Sequence, residues 1–335
     1  MITKLSIEEA IKLVTQILES HNTSTENAEM VANALVAAEI EGQKGHGLSR
    51  VASYSAQSKS GKVDGHAIPE VLQVAESAIR VDAKHGFAFP AFKTAIDHLS
   101  DMARKQGIAA AAITQSHHCG ALGYHAEMLA KNDVIALVFS NSPKAMAPWG
   151  GKEGIFGTNP IAFAAPRANS RPLVIDLSLS KVARGKVKVA HERGEAIPEG
   201  WALDKDGSPT TNAEAAMSGT MVPMGDAKGS ALVLMVEILA AALTSSHFGF
   251  EASSFFTAEG PSPDIGQFMI AMAPGPFSDN RFAARLETLI SAILDQPGTR
   301  LPGSKKGAMW DEALQNGLTI DEKMMASLLA LKGGN

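Results

Sequence analysis

Two periodicities alternate along this chain, and that alternation constrains the fold more than any single motif does. Ile11, Leu13, Val14 and Ile17 recur at helical spacing behind Ser6-Ile7-Glu8-Glu9, a capping-box pattern. A second such pattern, Thr23 to Glu26, predicts a longer helix through Ala38 and Ile40 that stops at Gly42. Ser53 to Ser60 continues as helix, and Gly61 to Gly65 is turn chemistry. Short strands are then expected at 77–82, 107–114, 134–140, 161–165, 173–177 and 268–273, with a helix over 91–105. Val187 to Gly219 reads as loop, Ser230 to Leu243 as a buried core helix, and Arg281 to Leu294 as an amphipathic helix. The tail after Asp295 reads as mostly loop with one last helix. Helices interleaved with short strands predict an α/β or α+β fold.

Bulk properties remove several function classes. A chain of 335 residues allows one large domain or two to three smaller ones. Apolar residues make up 45% and charged residues 19%, which is a globular balance. The net charge is −5 and the basic residues are scattered, which argues against nucleic-acid binding. The lone Cys119 excludes an internal disulfide and fits a reducing, cytoplasmic setting. The N-terminus lacks the basic-then-apolar order of a signal peptide. The most apolar stretch, Ser230 to Leu243, is shorter than the roughly 20 residues that span a bilayer, so no membrane partner is expected.

Some motifs are missing. There is no Gly-x-Gly-x-x-Gly turn, no Walker loop and no Gly-x-Ser-x-Gly elbow. A dinucleotide, if bound, must sit on a different scaffold. Five other segments could carry chemistry. In Gly45-His46-Gly47-Leu48-Ser49-Arg50 the imidazole titrates near neutrality, and the guanidinium could pair with a carboxylate. The flanking glycines could admit a ligand to the backbone, or simply terminate a helix. Ser116-His117-His118-Cys119-Gly120-Ala121-Leu122 could line a pocket; further ligands at metal spacing are lacking, so no metal site is expected. Phe156-Gly157-Thr158-Asn159-Pro160 offers short donors or an ordinary turn. Gly225-Asp226-Ala227-Lys228-Gly229-Ser230 places a cation at a helix start, either as an anion site or as a capped loop. Arg300-Leu301-Pro302-Gly303-Ser304-Lys305-Lys306 could hold a phosphate or be a solvated basic turn.

In order along nearly the whole chain, these segments resemble the malate/L-lactate dehydrogenase superfamily that lacks the Rossmann fold. Gly157-Thr158-Asn159-Pro160-Ile161-Ala162-Phe163 and Lys228-Gly229-Ser230-Ala231-Leu232 carry most of the resemblance. Within the superfamily the chain most resembles the Δ1-piperideine-2-carboxylate/Δ1-pyrroline-2-carboxylate reductases. The resemblance implies a non-Rossmann NAD(P)-binding domain with a mostly antiparallel sheet, flanked by helical regions. It implies a helical domain of residues 1–75 with 281–335 carrying the catalytic histidine. Residues 76–280 would form the cofactor domain with a smaller inserted region. It further implies a homodimer with its site near the subunit interface, a small carboxylate substrate, and NADPH as cofactor with NADH as the alternative.

By the same resemblance His46 is the proton-transfer residue, and Arg50 and Thr158 contact substrate. Arg50, His118, Cys119, Gly120, Ala121, Leu122, Asp176, Lys228, Gly229, Arg300 and Lys305 would line the cofactor. Two positions depart from the imino acid reductases. Gly45 stands where they have a serine, and Lys186 takes the catalytic place of their relay aspartate, as in the hydroxy acid dehydrogenases. A lysine there would lower the His46 pKa. The expected reaction is reduction of a cyclic 2-imino carboxylate to L-pipecolate or L-proline. A 2-hydroxy acid dehydrogenase is the alternative, and a catalytically silent binding relative is a third reading.

Overall fold

Strand β1 (Ile2–Leu5) leads into α1 (Ile7–Ser20), which Ser6 caps as its pattern predicts. The Glu9 N–H donates to the Ser6 hydroxyl at 3.1 Å, and the Ser6 N–H donates to the Glu9 carboxylate at 2.8 Å. The computed structural model describes residues 2–333. Helix α2 (Thr25–Ile40) starts one residue later than predicted, with Ser24 as its cap. Thr23 instead bonds the Ser58 hydroxyl at 2.9 Å and bridges Gly65, fixing the helix entry to a distant turn. Two single 3-10 turns, Lys44–His46 and Leu48–Arg50, lead directly into α3 (Val51–Ser60).

The central part builds one sheet. β2 (Glu70–Ala75) and β3 (Ala78–Asp82) form a hairpin, and α4 (Ala88–Gln106) crosses over to β4 (Ile108–Ser116). Then come α5 (Leu122–Ala130), β5 (Ile135–Ser140), β6 (Ile161–Ala165) and β7 (Leu173–Leu177). The stretch read as loop carries α6 (Arg184–Glu192), β8 (Ala202–Leu203), β9 (Pro209–Thr210), α7 (Ala213–Ser218) and β10 (Thr220–Met221). Its three two-residue strands pair into a small separate sheet, too short to show a sequence period. Helix α8 (Asp226–Glu237) runs into a π-helical turn, Ile238–Ala242, before β11 (Ile265–Met272). α9 (Pro274–Ser278) precedes α10 (Phe282–Leu294), the amphipathic helix expected there, and the tail after Asp295, expected to be mostly loop with one helix, holds α11 (Ser304–Asn316), β12 (Leu318–Asp321) and α12 (Glu322–Gly333).

The main sheet has seven strands in the order β2-β3-β4-β11-β5-β6-β7. The mixed α/β class stands. The expected mostly antiparallel sheet is refined to a mixed one: the α4 crossover makes β4 parallel to β3, and the other neighbours pair antiparallel. β2 escaped sequence detection because it is an edge strand with all six residues exposed, so no buried face imposes alternation.

Three cores fill the space between layers. One packs α4 and α5 against the sheet through Phe92, Leu99, Leu122 and Met269. A second joins α1, α2 and α3 to the C-terminal elements through Leu35, Tyr54, Ala313 and Leu328. β1 pairs with β12, which ties the two chain ends together. The third core packs α8 and the inserted segment on Phe139, Val187 and Met221. The expectation of a buried α8 needs correction. Val233, Val236, Ala240 and Ala241 are inside, but Leu232, Leu234, Met235, Ile238 and Leu243 are 38–55% exposed. A helix apolar on every side signals burial on every side, yet this chain supplies a cover for only one. No helix among the described residues is long and apolar enough to cross a membrane.

Candidate active site

The loop after α2 is held down from below. A side chain at Gly47 would put its Cβ 2.3 Å from Oε2 of Glu39 and 3.0 Å from the Glu39 backbone nitrogen. Only glycine lets the loop lie there, and the Leu48 N–H then donates to the Glu39 carboxylate at 3.0 Å. Gly45, by contrast, has nothing within 4 Å of its Cβ position. The two glycines beside His46 therefore differ in role: Gly47 accommodates the protein's own helix, and Gly45 borders open space.

Arg50, one turn after His46, closes the loop on itself. Its Nε donates to the Gly45 carbonyl at 2.6 Å, and its guanidinium lies 4.6 Å above the Phe256 ring. One terminal guanidinium nitrogen, Nη1, is buried without a partner, and so is Nδ1 of His46. Burial first, and the Arg50 charge second, pull the His46 pKa down to about 4. This corrects the expected cause. The depressing cation is Arg50, whereas Lys186 sits exposed on α6 and its side chain makes no hydrogen bond or ion pair among the described residues.

Behind His46 lies an aromatic and imidazole cluster. The His46 ring stacks on His118, with centroids 5.4 Å apart and planes 11° from parallel. Tyr54 approaches Nδ1 of His118 at 2.5 Å, and Phe255 tilts against the same imidazole at 4.9 Å. His117 is fully buried beside Tyr54 with both ring nitrogens unpartnered. Burial, then Lys62 and Arg50, lower its pKa to about 3, so it is uncharged at neutral pH. Sequence reasoning missed Tyr54, Phe255 and Phe256. Only Tyr54 left a usable signal: it stands one helical turn after Arg50, where side chains share a face.

The remaining expected residues fall into two groups. Cys119 and Leu122 are buried in the sheet core, and burial pushes the thiol up to about 12, so Cys119 is a neutral thiol at neutral pH. The Asp176 carboxyl accepts from the Gly123 N–H at 2.9 Å, and a Cβ on Gly123 would come within 2.9 Å of it. Burial raises the Asp176 pKa, with Lys306 opposing. Lys306 pairs with Glu41, and Gly303 (φ 69) lies against the Val174 carbonyl, so the basic turn crosses the end of β7. Arg300 and Lys305 are exposed on that turn. Ala121 is buried, and Gly120 (φ 69) packs on Phe89.

The second group lies around α8. Thr158 donates its N–H to the Ser142 hydroxyl at 3.0 Å. The neighbouring Asn159 donates to the Glu237 carboxylate at 2.6 Å, and that carboxylate also accepts from the Gly249 N–H at 2.7 Å. Burial raises the Glu237 pKa, and these donors oppose the rise. In sequence Glu237 is the one charged residue of the apolar Ser230 to Leu243 stretch, and in the fold it pins the Thr158 turn to α8. Gly229 is required by packing, because its Cβ would lie 1.6 Å from the Met224 carbonyl oxygen; Lys228 beside it is exposed. No group of three His, Cys, Asp or Glu that could hold a metal occurs among the described residues. Two surface concavities of about 460 and 330 Å³ are lined by none of His46, Arg50 or His118.

The sequence matches the family model described as malate/L-lactate dehydrogenase over residues 5–329. It is 52% identical to the (2R)-3-sulfolactate dehydrogenase (NADP(+)) of Chromohalobacter salexigens, over 97% of both chains. It is 38% identical to the Δ1-pyrroline-2-carboxylate/Δ1-piperideine-2-carboxylate reductase of Pseudomonas aeruginosa, over 98% of this chain and 99% of that one. The solved Δ1-piperideine-2-carboxylate reductase from Pseudomonas syringae superposes with a TM-score of 0.93 at 37% identity, covering 98% of this chain and 99% of that one.

Proposed function

The chain belongs to the malate/L-lactate dehydrogenase family, and from that premise we propose that it is an NADP(H)-dependent dehydrogenase of a small 2-hydroxy carboxylate of the 3-sulfolactate type. It is an NAD(P)-dependent oxidoreductase; the substrate is the proposal. One observation carries the choice of chemistry. An uncharged imidazole, His46, stands beside a guanidinium whose buried Nη1 has no partner. A buried guanidinium nitrogen without an acceptor is costly, and a substrate carboxylate would supply one.

The mechanism follows from that pair. Arg50 grips the carboxylate and so fixes which face of C2 is presented. Neutral His46 takes the proton from the 2-hydroxyl as the hydride leaves C2, and returns it in the reverse direction. The bound anion neutralises Arg50 and raises the His46 pKa towards its ordinary value, which helps it hold that proton. The nicotinamide, when bound, supplies or accepts the hydride. For the cofactor, Arg300, Lys305 and Lys228 are cations without ion-pair partners among the described residues, which suits a phosphate-rich ligand. They lie on the β7 and α8 sides described above.

The 52% identity with a sulfolactate dehydrogenase moves the weight from the imino acid reading towards this one, as does Lys186 in place of an aspartate. Reduction of a cyclic imino carboxylate stays as the second reading, supported by the TM-score of 0.93 to such an enzyme. The exposed apolar face of α8 supports a homodimer in which a second copy covers it. The core shared by the N-terminal helices and the C-terminal elements supports the proposed division into a composite helical domain and a central cofactor domain.

A panel read by NADPH absorbance tests the assignment. Oxidation of 3-sulfolactate, malate and lactate with NADP+ is compared with reduction of Δ1-piperideine-2-carboxylate with NADPH. Preference for a hydroxy acid supports the first reading. Turnover of the imine alone overturns it in favour of the second.

A further inference from the structure

Tyr54 belongs to no expected site, yet its hydroxyl makes a short polar contact in this region, 2.5 Å from Nδ1 of His118. The direction of that bond can be decided. The Gly120 N–H is also aimed at the same nitrogen, at 3.4 Å, and a backbone amide can only donate. A proton on Nδ1 would face that amide hydrogen. The other arrangement has Nδ1–H donating to Tyr54 and Tyr54 donating onwards to the His118 carbonyl. That carbonyl lies 3.5 Å away, a poor bond beside one of 2.5 Å. Tyr54 is therefore the donor and Nδ1 the acceptor. A neutral imidazole that accepts at Nδ1 carries its hydrogen on Nε2.

The surroundings keep that imidazole uncharged and fixed. His118 is buried, Arg50 and two other imidazoles crowd it, and its pKa is held well below the usual range, chiefly by burial. Tyr54 is itself fully buried, wedged against Phe87, Phe89 and His117. Burial raises the pKa of its phenol, so it remains a donor.

We propose that Tyr54 is a positioning residue: it locks His118 in the Nε2–H tautomer, so that His118 offers the reacting molecule's 2-oxygen a fixed donor beside proton-accepting His46. The proposal rests on the hydride-transfer reading of the site and extends it. Two stacked imidazoles then divide the work. His46 exchanges the proton, and His118 hydrogen-bonds the oxygen on which negative charge develops as C2 is reduced. His118 does not change its protonation state in the cycle.

The test reads the tautomer and the rate separately. Side-chain nitrogen shifts of labelled histidine, assigned with His118→Gln, should place the His118 hydrogen on Nε2 in the wild-type enzyme without substrate. Tyr54→Phe should release the lock and populate the other tautomer. Its kcat should fall on the order of tenfold to a hundredfold, with NADPH affinity unchanged. His118→Gln, which keeps a donor near the Nε2 position, should retain more activity than His118→Asn. A wild-type His118 protonated on Nδ1 overturns the proposal even if the Tyr54 variant folds poorly. So does an unchanged kcat in a folded Tyr54→Phe enzyme. The tautomer is measured without substrate, so failure of the whole hydroxy acid panel would sink the proposed reaction and leave this result standing.

Discussion

His46 lies face to face with His118, their rings 11° from parallel and 5.4 Å apart, with the Arg50 charge acting on both. Two imidazoles so placed oppose each other's protonation, and the guanidinium opposes both. The unliganded site is thus a pair of neutral rings next to a cation.

Replacing His46 by alanine should lower turnover by at least roughly a hundredfold while NADPH still binds, the usual size of a lost acid–base group. The pH profile carries the sharper expectation. For hydroxy acid oxidation the base must be unprotonated, and its pKa of about 4 keeps it so down to mildly acidic conditions. kcat/KM should therefore show no inflection from this group near pH 6.5. The inflection in kcat, which reports the anion-bound state, should lie higher. Identical pH profiles for wild type and His46→Ala would remove His46 from the proton transfer.

Gly47→Ala should destabilise the protein by about 1–3 kcal/mol and impair catalysis, because the added methyl meets Glu39 at 2.3 Å. Gly45→Ser should be nearly silent in thermal melting, since that position faces open space. Equal losses at the two glycines would contradict the asymmetric seating of the loop.

Arg300→Ala and Lys305→Ala should weaken NADPH more than NADH, each by about tenfold at low salt, if this turn reads the additional phosphate. Binding titrations with both cofactors decide the matter. An equal effect on the two would place the phosphate elsewhere, with exposed Lys228 the next candidate.

Stability should fall on acidification below about pH 6.5. His46, His117 and His125 have folded-state pKa values of about 4, 3 and 4, and His118 is depressed as well. The unfolded chain binds protons on these groups first, at about 6.5, so their stabilising effect is present above that pH and is lost towards 4. Each contributes up to about 1.4 kcal/mol per pH unit in that window. Buried Glu39, Asp176 and Glu237 have raised pKa values, so they take up protons first in the folded state and partly offset the loss near its lower end. Urea midpoints measured from pH 7 to 5 should drop steeply, and less so for His125→Gln. That imidazole stacks on Phe92 at 3.8 Å, away from the site. A flat profile would mean that the histidines are not held neutral.

Much of the architecture was legible where one face of an element is buried. The first helix, the β6 and β7 strands and the helix before β4 emerged from periodicity because solvent and core impose opposite demands on alternate positions. β2 and the inserted miniature sheet did not, since neither has a buried face long enough to impose a period. The site was half legible. His46 and Arg50 share one short segment, so local spacing exposed them. Tyr54, Phe256 and Glu237 reach His118, Arg50 and Asn159 across 64, 206 and 78 residues, separations no local pattern records.

The residue types pointed to the kind of chemistry: one histidine and one arginine in a glycine-bounded segment, a cation at a helix start, a basic Pro-Gly turn, and no metal-ligand spacing. Packing settled how that chemistry is tuned. Burial beside Arg50, rather than the expected Lys186, sets the charge on His46, and a tyrosine from the following helix turn orients the second imidazole. The reason is physical. A side chain's identity is fixed by the sequence, whereas desolvation and hydrogen-bond direction depend on which distant groups the fold brings within a few ångströms.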